Sequence, residues 1–212
     1  DHGVGLPRAK RWLYDSGTHI PLIVHVPPKY QHLTALKPGT STDRLVSSID
    51  FGATVLNLGD VKRPDYMQGQ AFLGANQPSA REFVYGARDR MDERYDIIRM
   101  VRDKRFKYIR NYEPLKTYYQ YMNTPEKGAT MKDLRSLHDA GKLTGAPAYY
   151  FSDHKPVEEL YDTQKDPHEL TNLANSKEHQ DILSRLRQVH IQWVQETKDL
   201  GLIAEPILIE RE

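Results

Sequence analysis

Two neighbouring residues at the start of the chain, Asp1 and His2, have side chains that can bind a divalent cation. A carboxylate and an imidazole are both metal ligands, and the Gly3 that follows them is typical of the turn after a strand, where ligands of α/β proteins bind. The pair is unspecific by itself, because the same residues are ordinary in a surface loop. We treat Asp1 and His2 as candidate metal ligands, with a surface loop as the alternative interpretation.

Three cationic residues follow shortly afterwards: Arg8, Lys10 and Arg11. Cations beside a metal ion suit an anionic tetrahedral group such as sulfate or phosphate. Without a metal ion nearby, the same residues would form an ordinary basic loop. This stretch therefore predicts either an anion-binding site or a solvated loop.

A second charged stretch, RDRMDER, occupies residues 88–94. Its arginines, Arg88, Arg90 and Arg94, could bind an anionic sugar, and we take them together with Arg8 as candidate substrate-binding residues. The alternative is a solvated hairpin loop, in which each local ion pair contributes little stability.

The first part of the chain has the pattern of an α/β protein. The apolar, β-branched run IPLIVHV at 20–26 predicts a buried strand, which two prolines end. Ser47 or Ser48 can cap a helix that runs to about Leu58, with Gly59 after its last turn. Strand, loop and helix in this order are typical of an α/β layer.

The pattern changes after residue 75. Three short alternating segments at 82–87, 95–102 and 105–111 predict an antiparallel meander with a hairpin tip at 103–104. A fourth segment, 158–162, is predicted to return as an edge strand. We expect one covered and one solvated face for this sheet.

A long polar insert and a long helix accompany these strands. The insert at 112–152 is rich in tyrosine, and we favour packing over sugar stacking for these rings. A short helix is predicted within the insert at 131–140. The final helix is predicted from Asn175 or Ser176 to about Leu200, because its apolar residues recur at helical spacing. These apolar positions are Ile182, Leu186, Val189 and Trp193.

Composition excludes several classes of protein. The chain of 212 residues can bury a core, and its 30 Lys and Arg against 29 Asp and Glu leave a net charge of +1. This balance gives no electrostatic case for a nucleic-acid or anionic-membrane partner. No apolar run approaches the roughly 18 residues of a membrane span. The absence of cysteine excludes disulfides, thiolate metal sites and cysteine nucleophiles within the chain.

Five segments, in order, resemble the C-terminal portion of a sulfatase of the alkaline-phosphatase-like superfamily. Each is a weak signal alone, but all five in the family's order form a specific pattern. They are DHG with the lysine and the YDSGTHIPLIV run at 1–24, VSSIDFGATVL at 46–56, MQGQAFL at 67–73, the RMVR and FKYI hairpin at 99–109, and ELYD with DPHELTNLA at 159–174.

The resemblance implies a fold in two parts and specific residue roles. Residues 1–75 would complete the edge of the α/β catalytic core, and residues 76–212 would form an α+β C-terminal subdomain with a four-stranded antiparallel sheet and one long helix. Asp1 and His2 match ligands of the active-site divalent cation, usually Ca²⁺. Lys10 matches the catalytic basic residue that contacts the sulfate and stabilises its charge in the transition state. The short spacing before Lys10 resembles the sulfamidase (heparan N-sulfatase) branch, which suggests a sulfated amino sugar or polysaccharide as substrate.

Sulfatases carry their nucleophile in a C-x-P-x-R or S-x-P-x-R motif, where it becomes formylglycine, and the chain lacks this motif. We therefore expect the nucleophile and the other metal ligands in a missing N-terminal part of the same enzyme. The chain alone is predicted to be inactive, and unstable because the strand at 20–26 would lack sheet neighbours. Family habit suggests the periplasm, the extracellular space or the lysosome, and the chain itself does not decide among them.

Two alternatives remain open at this point. A phosphodiesterase or phosphonate hydrolase of the same superfamily shares the DHG motif, although it usually has more histidines around two metal ions. A non-catalytic module could instead bind anionic glycans through the 88–94 stretch and the tyrosines.

Overall fold

The computed structural model of the chain describes residues 6–210, which form two compact units. The first unit contains residues 6–21 and 86–210, and the second contains residues 22–85. The boundary predicted at about residue 75 concerns the longer protein and stays a prediction.

The described residues contain seven α-helices, four strands and three short 3₁₀ helices, joined by long irregular segments. Among residues 6–210, no helix combines the length and the apolar character needed to cross a membrane. In chain order the elements are α1 (Asp15–Thr18), a 3₁₀ helix (Pro28–Leu33), α2 (Asp50–Leu58), β1 (Val84–Met91), β2 (Arg94–Arg102), β3 (Phe106–Asn111), α3 (Asn123–Glu126), α4 (Ala129–Asp139), α5 (Ala146–Tyr149), β4 (Glu158–Asp162), a 3₁₀ helix (Lys177–His179), α6 (Gln180–Thr197), a 3₁₀ helix (Leu200–Leu202) and α7 (Glu205–Ile209).

The predicted helix of the second unit is present as α2, and it ends at Leu58 as predicted. The predicted N-cap is wrong, because neither Ser47 nor Ser48 caps the helix through its side chain. Instead the carboxylate of Asp50 accepts a hydrogen bond from the backbone N–H of Ser47 at 2.9 Å and pairs with the guanidinium of Arg81. A buried carboxylate therefore fixes the start of this helix.

The strand predicted at 20–26 is absent. The segment is irregular and exposed, and Ile23 has 92% of its surface accessible. An apolar run forms a strand only where a neighbour pairs with its backbone and covers its side chains. None of the four strands within residues 6–210 pairs with this segment. The described residues therefore do not form the α/β core part of the predicted fold.

The predicted four-stranded antiparallel sheet is confirmed, and it forms the centre of the first unit in the order β1-β2-β3-β4. β2 and β3 pair so that Met100 lies opposite Ile109. Their connection is the predicted hairpin tip, where the Asp103 carboxylate accepts hydrogen bonds from the backbone N–H groups of Arg105 (2.8 Å) and Phe106 (2.6 Å). β4 is the predicted edge strand and pairs with β3.

Both faces of this sheet are covered, so the prediction of one solvated face is wrong. The consecutive residues Phe106, Lys107, Tyr108 and Ile109 of β3 are all buried. Successive side chains of a strand point to opposite faces, so four buried residues in a row require a layer on each side. The sequence pattern of β3 was misleading because one of these buried residues is a lysine.

Helix α6 covers one side of the sheet, which we call the helix face. Leu183 and Leu186 of α6 are buried, and the ring of His190 lies 5.7 Å from the ring of Tyr108. The helix is shorter than predicted, because a 3₁₀ turn precedes it and Lys198 adopts a left-handed conformation (φ 51°) after it.

Residues 12–14 and the tyrosine-rich insert cover the other side, which we call the insert face. Tyr118 and Tyr150 of the insert are buried there, as the packing interpretation predicts, and the predicted short helix is α4. The core cluster on this face consists of Trp12, Leu13, Tyr14, Ile98, Met100, Ile109, Tyr118, Met131, Tyr150 and Tyr161.

Candidate active site

Lys10 is the one candidate catalytic or metal-binding residue that lies within the described residues. It is exposed on residues 6–18, which we call the Lys10 loop, while its neighbours Ala9 and Trp12 are buried. The candidate metal ligands Asp1 and His2 lie outside the described residues, so their role stays a prediction. The described part of the candidate site is therefore the loop that carries Lys10.

The backbone of the Lys10 loop folds tightly on itself. The N–H of Trp12 donates to the carbonyl of Ala9 at 3.0 Å, and the hydroxyl of Ser16 donates to the carbonyl of Arg8 at 2.6 Å. A Cβ atom at Gly17 would lie only 2.2 Å from the Ala9 carbonyl oxygen, so this position requires glycine. The backbone on both sides of Lys10 is thus fixed by local contacts.

The buried Tyr14 anchors the loop to the sheet through the carboxylate of Glu159 on β4. The hydroxyl of Tyr14 donates to this carboxylate at 2.8 Å. Tyr118, Tyr161 and Asn111 donate to it as well, at 2.6 to 2.9 Å. Burial and the nearby carboxylate raise the pKa of Tyr14 well above its usual value, so its hydroxyl keeps the proton it donates.

A second anchor is the buried ammonium of Lys107. It lies 2.6 Å from the carboxylate of Asp15, at the end of the loop, and 2.8 Å from the carboxylate of Glu169. Burial opposes the charge of Asp15, but Lys107 and Arg102 outweigh it and hold the pKa of this carboxyl below its usual value. Burial raises the pKa of Glu169 despite the same lysine. Because each charge has a partner, burying them is tolerated.

Arg8 and Arg11 tie the two sides of the loop to other segments of the first unit. Arg8 donates to the backbone carbonyls of His168 (2.9 Å) and Glu169 (2.7 Å), and its guanidinium stacks over the ring of Tyr14. Arg11 donates to the carboxylate of Asp92 at 2.9 Å. Both arginines beside Lys10 thus have partners within the chain.

Backbone strain is concentrated in this region. Arg11 (φ 82°), Asp92 (φ 49°) and Glu169 (φ 52°) adopt the left-handed conformation that L-residues other than glycine seldom take. Each such residue costs on the order of 1–2 kcal/mol, so the contacts around it must outweigh that cost. All three belong to the contacts that hold the Lys10 loop.

The structure places Arg88 in the interior. It is 2% exposed, its guanidinium lies 4.1 Å from the centre of the Trp12 ring, and it pairs with the buried Asp96 at 3.6 Å. Lys155 reaches the same carboxylate at 3.0 Å. Burial lowers the pKa of Arg88. A substrate role for Arg88 stays a prediction, and it would require the guanidinium to leave this position.

The other two arginines of the 88–94 stretch are exposed. Arg90 pairs with the carboxylate of Glu205, and Arg94 donates to the backbone carbonyl of Tyr121 at 2.6 Å. The predicted loop at 88–94 is wrong in extent, because Arg90 lies on β1 and Arg94 begins β2, and their partners are distant in sequence rather than local. Sugar binding by Arg90 and Arg94 stays a prediction. Arg88 points inward and is not brought together with them.

Sequence reasoning missed the buried charges that hold the site. The strand patterns and family motifs include Lys107, Glu159 and Glu169, but they predict no partner for any of these charges. A usable signal exists for Lys107, because it is the one charged residue within the otherwise apolar run from Phe106 to Ile109. The charges of Glu159 and Glu169 became explicable only once their distant partners were known.

The described residues provide no metal centre by themselves. Within residues 6–210, no group of three or more His, Asp or Glu side chains is arranged to hold a metal ion. Ca²⁺ takes six to eight oxygen ligands, more than Asp1 and His2 can supply. A metal site that includes these two residues would therefore need further ligands.

The fold has a counterpart among solved structures. A solved structure of a "2-O GAG sulfatase" superposes on 76% of this chain and 27% of its own, with a TM-score of 0.51 and 22% identity. At this identity the likeness concerns the fold alone. The sheet with its long helix is thus a fold found in the sulfatase class.

Sequence comparison then gives the family. The family model described as "N-sulphoglucosamine sulphohydrolase, C-terminal" matches residues 8–144, and the chain belongs to this family. An ulvan-active sulfatase of Formosa agariphila is 44% identical over the whole chain, which spans 34% of that protein. The N-sulphoglucosamine sulphohydrolase of Homo sapiens is 26% identical over 99% of the chain, which spans 43% of it. The predicted resemblance to a sulfatase C-terminal portion is confirmed, and it outweighs the phosphodiesterase alternative.

Proposed function

We propose that the chain is the C-terminal portion of an enzyme that hydrolyses sulfate esters or N-sulfate groups of a sulfated carbohydrate. Family membership and sulfatase relatives aligned along the whole chain support this proposal. One observation supports a catalytic role for Lys10 in particular. Its side chain is exposed, and the backbone on both sides of it is fixed by local contacts. The chain spans about a third of the first relative, so the activity belongs to the longer protein.

Lys10 would contact the sulfate group. Its ammonium offers three hydrogen-bond donors and a positive charge to the negative charge that develops on the sulfate oxygens in the transition state. Such a donor is effective when it is held in place before the reaction begins, because it then needs no rearrangement during the reaction. The fixed backbone around Lys10 contributes to this requirement by holding the point from which its side chain extends.

Asp1 and His2 would supply ligands to a divalent cation, which when bound would neutralise charge on the sulfate group. The carboxylate of Asp1 suits Ca²⁺, whereas the imidazole of His2 also suits softer divalent cations, so another divalent cation remains an option. The remaining ligands and a formylglycine nucleophile would lie in the part of the protein N-terminal to this chain.

The proposed substrate is a sulfated polysaccharide or a sulfated amino sugar. The relatives are named for ulvan and for N-sulphoglucosamine, and these two names define the probes to use. The sequence suggests four arginines for substrate binding, Arg8, Arg88, Arg90 and Arg94, and we propose this role for Arg90 and Arg94. Of these, Arg90 and Arg94 are exposed, and binding a sugar would exchange their contacts with Glu205 and Tyr121 for contacts with the anion.

Sulfate release by the full-length protein tests the proposal. Ulvan and N-sulphoglucosamine serve as substrates, with and without a chelator of divalent cations, and free sulfate is measured by ion chromatography. We expect Lys10→Ala to lower kcat by roughly 10²- to 10³-fold, the size of the loss when one preorganised donor is removed. Lys142→Ala, which alters another exposed lysine, is the matched control and should leave kcat unchanged.

Other outcomes would point elsewhere. Hydrolysis of a phosphodiester without sulfate release would favour the phosphodiesterase alternative. Binding of the sulfated glycan without sulfate release would favour the non-catalytic module. Full activity of the Lys10→Ala variant would remove Lys10 from the mechanism.

A further inference from the structure

The contacts of the Lys10 loop converge on a segment more than 150 positions later in the chain. Arg8 donates to the carbonyls of His168 and Glu169, and the backbone N–H of Asp15 donates to the Glu169 carboxylate at 2.5 Å. The loop is thus held by the same two-residue turn on both sides of Lys10. We call the contacts made by Arg8, Asp15 and Glu169 the clamp.

Glu169 contributes to the clamp with both its backbone and its side chain. Glu169 is 1% exposed and adopts a left-handed backbone conformation, which turns its own carbonyl toward Arg8 while its carboxylate faces Asp15. Hydrophobic packing alone does not require such a conformation, because it is not directional. A strained backbone that persists at one residue indicates that the surrounding contacts need that geometry.

We propose that Arg8 and Glu169 are positioning residues that hold Lys10 in place for catalysis without touching the substrate. This inference rests on the proposed role of Lys10. It implies that the DPHEL segment at 166–170 supports catalysis indirectly, by holding the Lys10 loop in position. It also gives Arg8 a different function from the substrate contact that its charge suggested.

The expected kinetic effect follows from the geometry. A displacement of about 1 Å in a reacting group can lower the rate on the order of 10²-fold. Loss of the clamp should therefore lower kcat while leaving KM nearly unchanged, because substrate-binding groups elsewhere are retained. A direct substrate contact by Arg8 would instead raise KM and would make Glu169 irrelevant to the kinetics.

The test compares Arg8→Ala and Glu169→Ala in the full-length enzyme with sulfate release from ulvan and N-sulphoglucosamine. We expect each variant to lower kcat at least tenfold. Glu169→Gln keeps an acceptor for the Asp15 N–H, so it should recover most of the rate. Arg187→Ala, which removes a side chain paired with Glu158 on the helix face, is the control and should retain the wild-type kcat.

Double variants with Lys10→Ala separate positioning from a general structural effect. If Arg8 and Glu169 act through Lys10, their substitution in the Lys10→Ala background should cause no further loss of kcat. A further tenfold loss in that background, or an unchanged kcat of Arg8→Ala, would overturn the proposal. If Glu169→Ala does not fold, Arg8→Ala and its double variant decide the question, because Arg8 is only partly buried.

The same data show whether the proposed function itself is at fault. Lys10→Ala with the wild-type rate of sulfate release would refute the role of Lys10, whatever Arg8 does. An inactive wild-type protein on both sulfated probes would refute the sulfatase proposal for these substrates. A normal loss in Lys10→Ala together with no loss in Arg8→Ala would refute the clamp alone.

Discussion

The two faces of the four-stranded sheet are held in different ways. On the helix face, α6 contributes the buried leucines Leu183 and Leu186, and the buried Arg99 reaches partly exposed carboxylates of Asp89 and Asp199. On the insert face the charged groups are enclosed: Asp96, Lys107, Lys155, Glu159 and Glu169 are all at most 1% exposed. The insert face therefore adds enclosed carboxylates and ammonium groups to its apolar cluster. The buried cation of the helix face pairs instead with carboxylates that are partly exposed.

The difference matches what each face supports. On the helix face, α6 packs on the sheet through Leu183 and Leu186, and apolar burial has no preferred direction. The insert face carries the Lys10 loop, whose orientation is set by hydrogen bonds from Tyr14 and Asp15 to single carboxylates. Directional contacts to buried charges lose much of their energy when the geometry changes, so they specify one arrangement.

The largest effect should come from removing the buried cation of the insert face. Lys107→Met leaves the carboxylates of Asp15 and Glu169 without their shared partner, and we expect the first unit to lose about 3–5 kcal/mol of stability. Leu186→Ala on the helix face is the matched control, with an expected loss of about 2–5 kcal/mol from the cavity it creates. Hydrogen exchange of the β2 and β3 amides in the full-length protein measures both losses.

Activity then distinguishes the two faces. At a temperature where both variants are folded, Lys107→Met should also lower kcat for sulfate release, because Asp15 belongs to the Lys10 loop. Leu186→Ala should retain the wild-type kcat. Equal kcat values in the two variants would contradict a special role of the insert face.

The next effect concerns pH on the helix face. Burial lowers the pKa of His190 to about 4, and the nearby Arg110 and Arg99 act in the same direction. In the unfolded chain the pKa of a histidine is about 6.5. Burying the neutral His190 ring is therefore tolerated above pH 6.5, and the folded protein loses stability as the pH falls from 6.5 toward 4. The loss amounts to at most about 3.5 kcal/mol, from about 1.4 kcal/mol per pKa unit.

Melting temperatures at pH 7 and pH 4.5 check this prediction. The wild type should lose more stability between these pH values than His190→Gln, which cannot titrate. The tyrosine hydroxyls enclosed on the insert face have raised pKa values, so they do not titrate in this range. An identical pH dependence in wild type and variant would show that His190 is not buried in its neutral form.

The smallest effect compares two tyrosine hydroxyls that each donate to a glutamate. Tyr14 donates to the fully buried Glu159 at 2.8 Å, whereas Tyr108 donates at 2.7 Å to the partly exposed Glu158, which Arg187 also binds. We expect Tyr14→Phe to cost about 2 kcal/mol and Tyr108→Phe about 1 kcal/mol, since an enclosed charge depends more on each donor. Hydrogen exchange of the β3 amides measures both, and a larger loss for Tyr108→Phe would reverse the comparison.

Much of the fold was predictable because its elements depend on local patterns. The alternation in 95–102 and 105–111 and the helical spacing around Leu186 identified the sheet and α6, whose ends shifted by only a few residues. The segment at 20–26 was predicted wrongly for the same reason. Its apolar, β-branched pattern is local, but a strand also requires a neighbouring backbone, which sequence alone cannot place.

The sequence by itself determined the family, the strands and the main helix, and it singled out Lys10 from the motif that precedes YDSG. The tertiary structure alone decided which groups the buried carboxylates of Glu159 and Glu169 bind. Tyr14 meets Glu159 across 145 positions, and Asp15 meets Glu169 across 154. A buried charge is stabilised only by groups that folding brings to it, and no local pattern shows which distant groups those are.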